Sequence, residues 1–280
     1  MWEKDFADLS NSAGRQQGLI TSAQAAKVGV AQSALAHLEE ARLVKRLEWD
    51  VYQLQGSPVG PIHAYPYAAW LALSPDLFQW ERPADPTADA VLSHESACAV
   101  HGIGSLPIPF VMFTVPEERM TPRATKITVS SLATEEIVSS HGLPVTSPHR
   151  TILDLIRSWV DHEDVGEALT DAVRLDLVDL RALYEDMTSL AEEYDFPAKG
   201  PEFADYFLAE LETGPLSTRN LRAYAALRAA DRVAEVRRGV ARVLAELRGG
   251  QDPASGSEVE DDELSWQVAA EIVGRTGLDG

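Results

Sequence analysis

Between Gly18 and Leu54 the apolar positions follow helical spacing twice and then alternate. Thr21 with Gln24 three residues on is a capping-box start. Ala23, Ala25, Ala26 and Val28 then predict a short helix, closed by Gly29 in a left-handed turn. A second helix is expected from about Val30, with Val30, Ala34, Leu35, Leu38 and Ala41 on its buried face. Two short runs follow, Val44–Leu47 and Val51–Leu54, joined through Glu48-Trp49-Asp50. Helix, tight turn, helix and hairpin is the order of a winged helix-turn-helix. Gln55 to Pro61 is rich in Gly and Pro and reads as a linker.

Beyond the linker the pattern is mixed. Tyr65–Leu73 and Ala90–His101 read as helices, and Phe110–Val115 and Lys126–Ser130 as strands. Ile137–Ser139 and Leu143–Thr146 pair across His141-Gly142. Ser147-Pro148 opens a helix bearing Ile152, Leu153, Leu155, Ile156 and Trp159. Helices are expected again at 164–174, 178–193 and 200–212. From Leu216 to Gly249 apolar residues at helical spacing predict a helix about 50 Å long if continuous, which Gly239 would bend. The expected fold is therefore α+β and mostly helical: a winged helix-turn-helix over 1–56, a mixed α/β domain over 57–216, and a helical extension over 217–280.

Charge divides the chain in the same way. The 280 residues carry a net charge of −20, which taken whole opposes non-specific nucleic-acid binding. Residues 1–56 hold six basic and seven acidic residues, whereas 57–216 hold nine and 26. Residues 217–249 carry eight arginines against three acids, and 250–263 carry six acids and no base. The stretch 250–263 is expected to stay disordered. No run of 18 apolar residues occurs, the charged start Met1-Trp2-Glu3-Lys4-Asp5 has no signal-peptide character, and the single Cys98 fits a reducing cytoplasm.

Removing the buried face of the second helix leaves Ala31, Gln32, Ser33, Ala36 and His37 to meet base edges. Gln32 suits adenine, and Ser33 suits a base or a phosphate. Arg42, Lys45 and Arg46 lie at the helix end and on the wing, where phosphate contacts belong. Other constellations have plainer readings. His94, Cys98 and His101 share one helix face, but their apolar neighbours mark it as core rather than a zinc site. Arg150 and Asp154 stand at i,i+4 as a helix ion pair. The arginines after 216 are read as partners for the acidic block. No GxxxxGK[ST], GxGxxG or GxSxG pattern occurs, so no enzyme activity, cofactor or metal is expected.

Several stretches resemble AbiEi-type antitoxins of type IV toxin–antitoxin systems. They are Leu19-Ile20-Thr21 through Gly29, Leu35, Leu38, Leu43 and the wing Val51-Tyr52-Gln53-Leu54, then Val91-Leu92-Ser93-His94-Glu95-Ser96-Ala97 and His101-Gly102-Ile103-Gly104. Phe113-Thr114-Val115-Pro116 and the run Gly142 to Asp154 (GLPVTSPHRTILD) complete the set, over about residues 15–190. The resemblance implies an N-terminal winged helix followed by the family's antitoxin domain, operator DNA as a partner, autorepression, and a cognate AbiEii-type nucleotidyltransferase toxin as the second partner. A homodimer on DNA and no membrane association go with that reading. The chain departs from the family at Glu48-Trp49-Asp50, where members often carry Arg and Gly, and its arginine-rich segment matches no family motif. The runner-up is a stand-alone winged-helix regulator whose second domain senses a ligand or oligomerises.

Overall fold

Thr21 caps its helix as its spacing with Gln24 predicts: Thr21 Oγ1 accepts from the Gln24 amide at 3.0 Å, and Gln24 Oε1 accepts from the Thr21 amide at 3.0 Å. The computed structural model describes residues 2–247 and 257–276. The fold is α+β and mostly helical, with a winged helix-turn-helix, a mixed α/β part and a helical C-terminal extension. It divides into two compact units, Met1–Gly102 with Leu106–Asp154, and Ile103–Ser105 with Leu155–Gly280. The expected boundaries at 56 and 216 fall inside these units.

The first unit opens with α1 (Trp2–Ala13), β1 (Leu19–Thr21), α2 (Ser22–Lys27), α3 (Gln32–Glu40), β2 (Val44–Arg46) and β3 (Val51–Leu54). The three strands form an antiparallel sheet in the order β1-β3-β2. Successive strand residues point to opposite faces, and here both faces are covered. Ile20 and Tyr52 pack with Leu9, Val30, Leu35 and Leu38 inside the winged helix. Leu19 and Val51 pack on the other side with Tyr67, Trp70, Leu92 and Phe113. The winged helix and the following α/β part therefore share a core. That is why no structural break follows the Gly/Pro linker.

The rest of this unit is α4 (Pro61–Ala72), β4 (Val91–Leu92), α5 (His94–His101), β5 (Val111–Val115), β6 (Thr125–Val129), β7 (Ile137–Ser140), β8 (Leu143–Thr146) and the start of α6 (Pro148–Arg157). Its five-stranded sheet runs β6-β5-β4-β8-β7, with β4/β8 and β5/β6 parallel. The β7–β8 hairpin turns through His141 and Gly142 at φ 50° and 83°, both left-handed, as a two-residue hairpin turn requires. Gly142 also faces Gln79, whose side-chain amide would have to shift to admit a Cβ.

The second unit is helical: α7 (His162–Arg174), α8 (Leu180–Thr188), α9 (Gly200–Phe207), α10 (Thr218–Arg228), α11 (Ala230–Leu247) and α12 (Ser257–Thr276). Asn220 on α10 is fully buried. It accepts from the Leu180 amide at 3.0 Å and donates to the carbonyls of Val173 and Val178 at 3.2 and 3.0 Å. One side chain thus fastens α10 to the turn between α7 and α8.

Several expectations need correction. Ala90–His101 is not one helix, because Val91 and Leu92 are buried as a central strand and α5 starts at His94. A short apolar run has no period to separate strand from helix. The long helix over 216–249 is two, broken at Ala229 (φ −136°, ψ 48°), while Gly239 lies within α11. The break lets α10 and α11 both pack on α12 through Ala225, Val233, Ala269, Ala270 and Val273. Helices α8 and α9 stop at Thr188 and Phe207, short of 193 and 212. The acidic stretch 250–263, expected to be disordered, is helical from Ser257 onward, and residues 250–256 lie outside the described residues. Ala41, expected on the buried face, is exposed at the end of α3. Among the described residues no helix is long and apolar enough to cross a membrane.

Candidate nucleic-acid interface

Leu35 and Leu38 anchor α3 in the core, and this turns the opposite face outward. Ala31, Gln32, Ser33, Ala36 and His37 are all exposed there, as the spacing predicts. Gln32 Nε2 donates to the Tyr52 hydroxyl at 3.0 Å. That bond holds the amide in place on the buried β3 strand and leaves its carbonyl oxygen as an acceptor. At the far end of the face the ring of His37 meets Trp2 of α1, with centroids 6.4 Å apart.

The three basic residues are exposed, but they are not equivalent. Arg42 follows α3 in a left-handed conformation at φ 57°. Lys45 and Arg46 lie on β2, opposite Gln53 and Tyr52. Arg46 is paired with Asp50 across the wing turn, a hydrogen bond that raises the guanidinium's pKa. A cleft of about 420 Å³ beside the wing is lined by Glu39, Lys45, Arg46 and Glu48 among others. Both signs of charge therefore occupy the wing flank, and the surface is only locally basic.

The wing tip is held from behind, which the sequence did not reveal. Trp49 and Asp50 are both left-handed, at φ 60° and 55°. The Trp49 indole N–H donates to the Arg123 carbonyl at 2.6 Å, its ring meets Tyr65 edge-on with centroids 5.0 Å apart, and Glu48 pairs with Arg123 at 2.9 Å. Glu48-Trp49-Asp50 thus serves as a tether to the following part of the chain.

The remaining constellations have structural occupants. His94 Nδ1 lies 2.8 Å from Ser93 Oγ, and His101 Nε2 donates to the Thr146 carbonyl at 2.7 Å. Burial pushes the Cys98 thiol up to about 12. Among the described residues no group of three His, Cys, Asp or Glu side chains is placed to hold a metal ion. Arg150 and Asp154 form the i,i+4 ion pair that their spacing predicts, at 2.7 Å; both are buried, and the arginine also reaches Glu136 at 2.8 Å. Burial alone would lower the pKa of Arg150, but its hydrogen bonds to Asp154 and Glu136 outweigh that and raise it. In the arginine-rich segment, Arg219 pairs with Asp176 at 2.8 Å and Arg228 with Asp205. Arg222 pairs with Glu271 at 2.6 Å and Arg237 with Asp262, so α12 supplies half of these partners.

No protein-family model matches the chain, and no curated protein does. Among solved structures it is similar to the RV2827C protein from Mycobacterium tuberculosis, at 12% identity over 81% of this chain and 76% of that one, with a TM-score of 0.37.

Proposed function

We propose that the chain is a non-catalytic, cytoplasmic DNA-binding antitoxin that represses its own operon. The observation that carries this reading is the exposed α3 face of Gln32, Ser33, Ala36 and His37, with Lys45 and Arg46 beside it on the wing. A helix end with small and amide side chains can enter a major groove, and Gln32 keeps an acceptor pointed away from its Tyr52 bond. Two copies on half-sites a helical turn or a multiple apart complete the assembly. The second partner is a nucleotidyltransferase-type toxin, which needs a basic cleft for its substrates. The exposed carboxylates of the helical unit, among them Asp161, Glu163, Glu167, Glu192, Glu193 and Asp195, complement such a cleft.

The test uses the full chain, because removing residues 1–56 would take Leu19 and Val51 out of a shared core. Binding to the DNA upstream of the gene is titrated against salt for the wild type and for the variant R42A/K45A/R46A. The salt slope should fall by about 0.9 for each phosphate that the variant no longer neutralises. Gln32→Ala should relax sequence preference by roughly 1–3 kcal/mol at one position. An unchanged slope in the triple variant would remove DNA from the assignment. Co-expression with the downstream gene product, scored for growth rescue and co-purification, tests the second partner.

A further inference from the structure

Behind the wing tip, Ile62, Tyr65, Pro66, Ile108 and Phe110 line a cleft of about 350 Å³ within the first unit. All but the buried Pro66 are large apolar side chains left in the open, Ile62 at 61% exposure and Tyr65 at 42%. The volume sits at the lower end of the ~300–1,000 Å³ of small-molecule sites, too small for a docked helix. No charged side chain is among its lining residues, although the Lys126 ammonium rests over the Phe110 ring 4.1 Å from its centroid. A charged group inside it would therefore be desolvated without a hydrogen-bonded counter-charge in the lining. The walls are stiff: α4 enters with Pro61 and carries Pro66, and Pro109 lies opposite. Polar side chains are few: Tyr65, and Ser96, whose hydroxyl already donates to the Phe110 carbonyl and accepts from the Met112 amide. Pro66, inside α4, also leaves the Ile62 carbonyl without its usual helical N–H donor.

Two walls of this cleft are also the supports of the wing. Tyr65 is the ring that Trp49 rests on. Ala124, another wall residue in a left-handed conformation at φ 57°, follows Arg123, whose carbonyl holds the Trp49 indole. The Ala124 carbonyl in turn accepts from the Val111 amide at 2.9 Å, at the edge of the same cleft.

We propose that this cleft binds a small neutral aromatic molecule bearing a hydrogen-bonding group, and that filling it stiffens the wing tip through Tyr65 and the 123–124 segment. The occupant is defined by the lining: apolar, ring-sized, uncharged and wanting one or two hydrogen bonds. The coupling follows from shared walls, since a ligand that packs Tyr65 and Ala124 removes the freedom that Trp49 would otherwise follow. The site does not depend on the DNA reading and is tested without DNA.

The experiment titrates the full chain with N-phenyl-1-naphthylamine, a neutral aromatic amine whose fluorescence rises in apolar surroundings. Saturable one-to-one binding is expected. Ala99→Phe, which fills the cleft, should weaken it about tenfold or more. Ile62→Glu, at an exposed position that tolerates a polar side chain, should do the same without unfolding the chain. Amide hydrogen exchange at residues 48–51 should slow severalfold on saturation. Absence of saturable binding, or binding that survives in a folded Ile62→Glu chain, overturns the site. Binding without slower exchange at the wing overturns the coupling.

Discussion

The indole N–H of Trp49 donates to the carbonyl of Arg123 at 2.6 Å, joining two residues 74 positions apart. The wing tip of a winged helix is thereby fixed to the loop before β6 by a side chain in a left-handed backbone conformation. Trp is a costly residue for that conformation, so the hydrogen bond and the strain oppose each other at one position.

Separating them gives a test. Trp49→Ala removes the hydrogen bond and the packing on Tyr65 but keeps the strain, so it should destabilise the first unit by roughly 1–2 kcal/mol. Trp49→Gly removes the same two interactions and relieves the backbone, so it should be the more stable variant by up to ~1 kcal/mol. Thermal unfolding of the two variants orders them. Equal stability would mean that the left-handed turn carries no strain.

Arg150 sits between Asp154 at 2.7 Å and Glu136 at 2.8 Å. Arg150→Met removes the guanidinium from the buried Asp154 carboxylate and should cost about 3–5 kcal/mol in denaturant unfolding. Glu136→Gln acts on a partner with a 31% exposed side chain and should cost under ~1 kcal/mol. If the two losses are alike, the pair is not the anchor of α6.

Asn220 is a hub without a substitute. Asn220→Leu strips the Leu180 amide of its acceptor and takes one donor from each of the Val173 and Val178 carbonyls, which keep the Asp176 amide and the Arg219 guanidinium respectively. A loss of roughly 2–4 kcal/mol is expected, with hydrogen exchange of the Leu180 amide rising in step with the global loss. Asn220→Asp keeps the acceptor for Leu180 but turns a buried carboxylate oxygen toward the Val173 and Val178 carbonyls and Asp176, so its loss should be at least as large at neutral pH.

The histidines set a pH dependence. Burial depresses the pKa of His94 and His101 below the ordinary 6.5, against the raising effect of Asp154 and Glu95 on His94 and of the Thr146 hydrogen bond on His101. The folded chain therefore binds fewer protons than the unfolded one just below pH 6.5. Stability should be full above that value and decline as pH falls through it toward the depressed native values. Melting temperatures between pH 7.5 and 5.0 measure this. His101→Gln, which keeps a donor for Thr146 and does not titrate, should flatten the decline. An equally steep decline in that variant would move its origin away from His101.

Features that depend on a few adjacent residues were legible in the sequence. The capping box at Thr21 and Gln24, the left-handed pair His141-Gly142, Ser147-Pro148 at the head of α6 and the outward face of α3 each follow from local backbone chemistry or a single period. α1 was missed, although its Leu9 and Ala13 are buried in the winged-helix core. Four further features were decided only by the tertiary structure. β1 completes the wing's sheet, Val91-Leu92 is a strand, the arginine-rich segment breaks at Ala229, and Glu48-Trp49-Asp50 is a tether. Each of these depends on a neighbour tens of residues away, such as Gln53 for Leu19 or Thr114 for Val91. A short apolar run pairs with whatever edge the fold brings to it, and a side chain's role at a turn depends on the carbonyl that arrives beside it. Periodicity carries no record of either, because both are set when distant segments share a core.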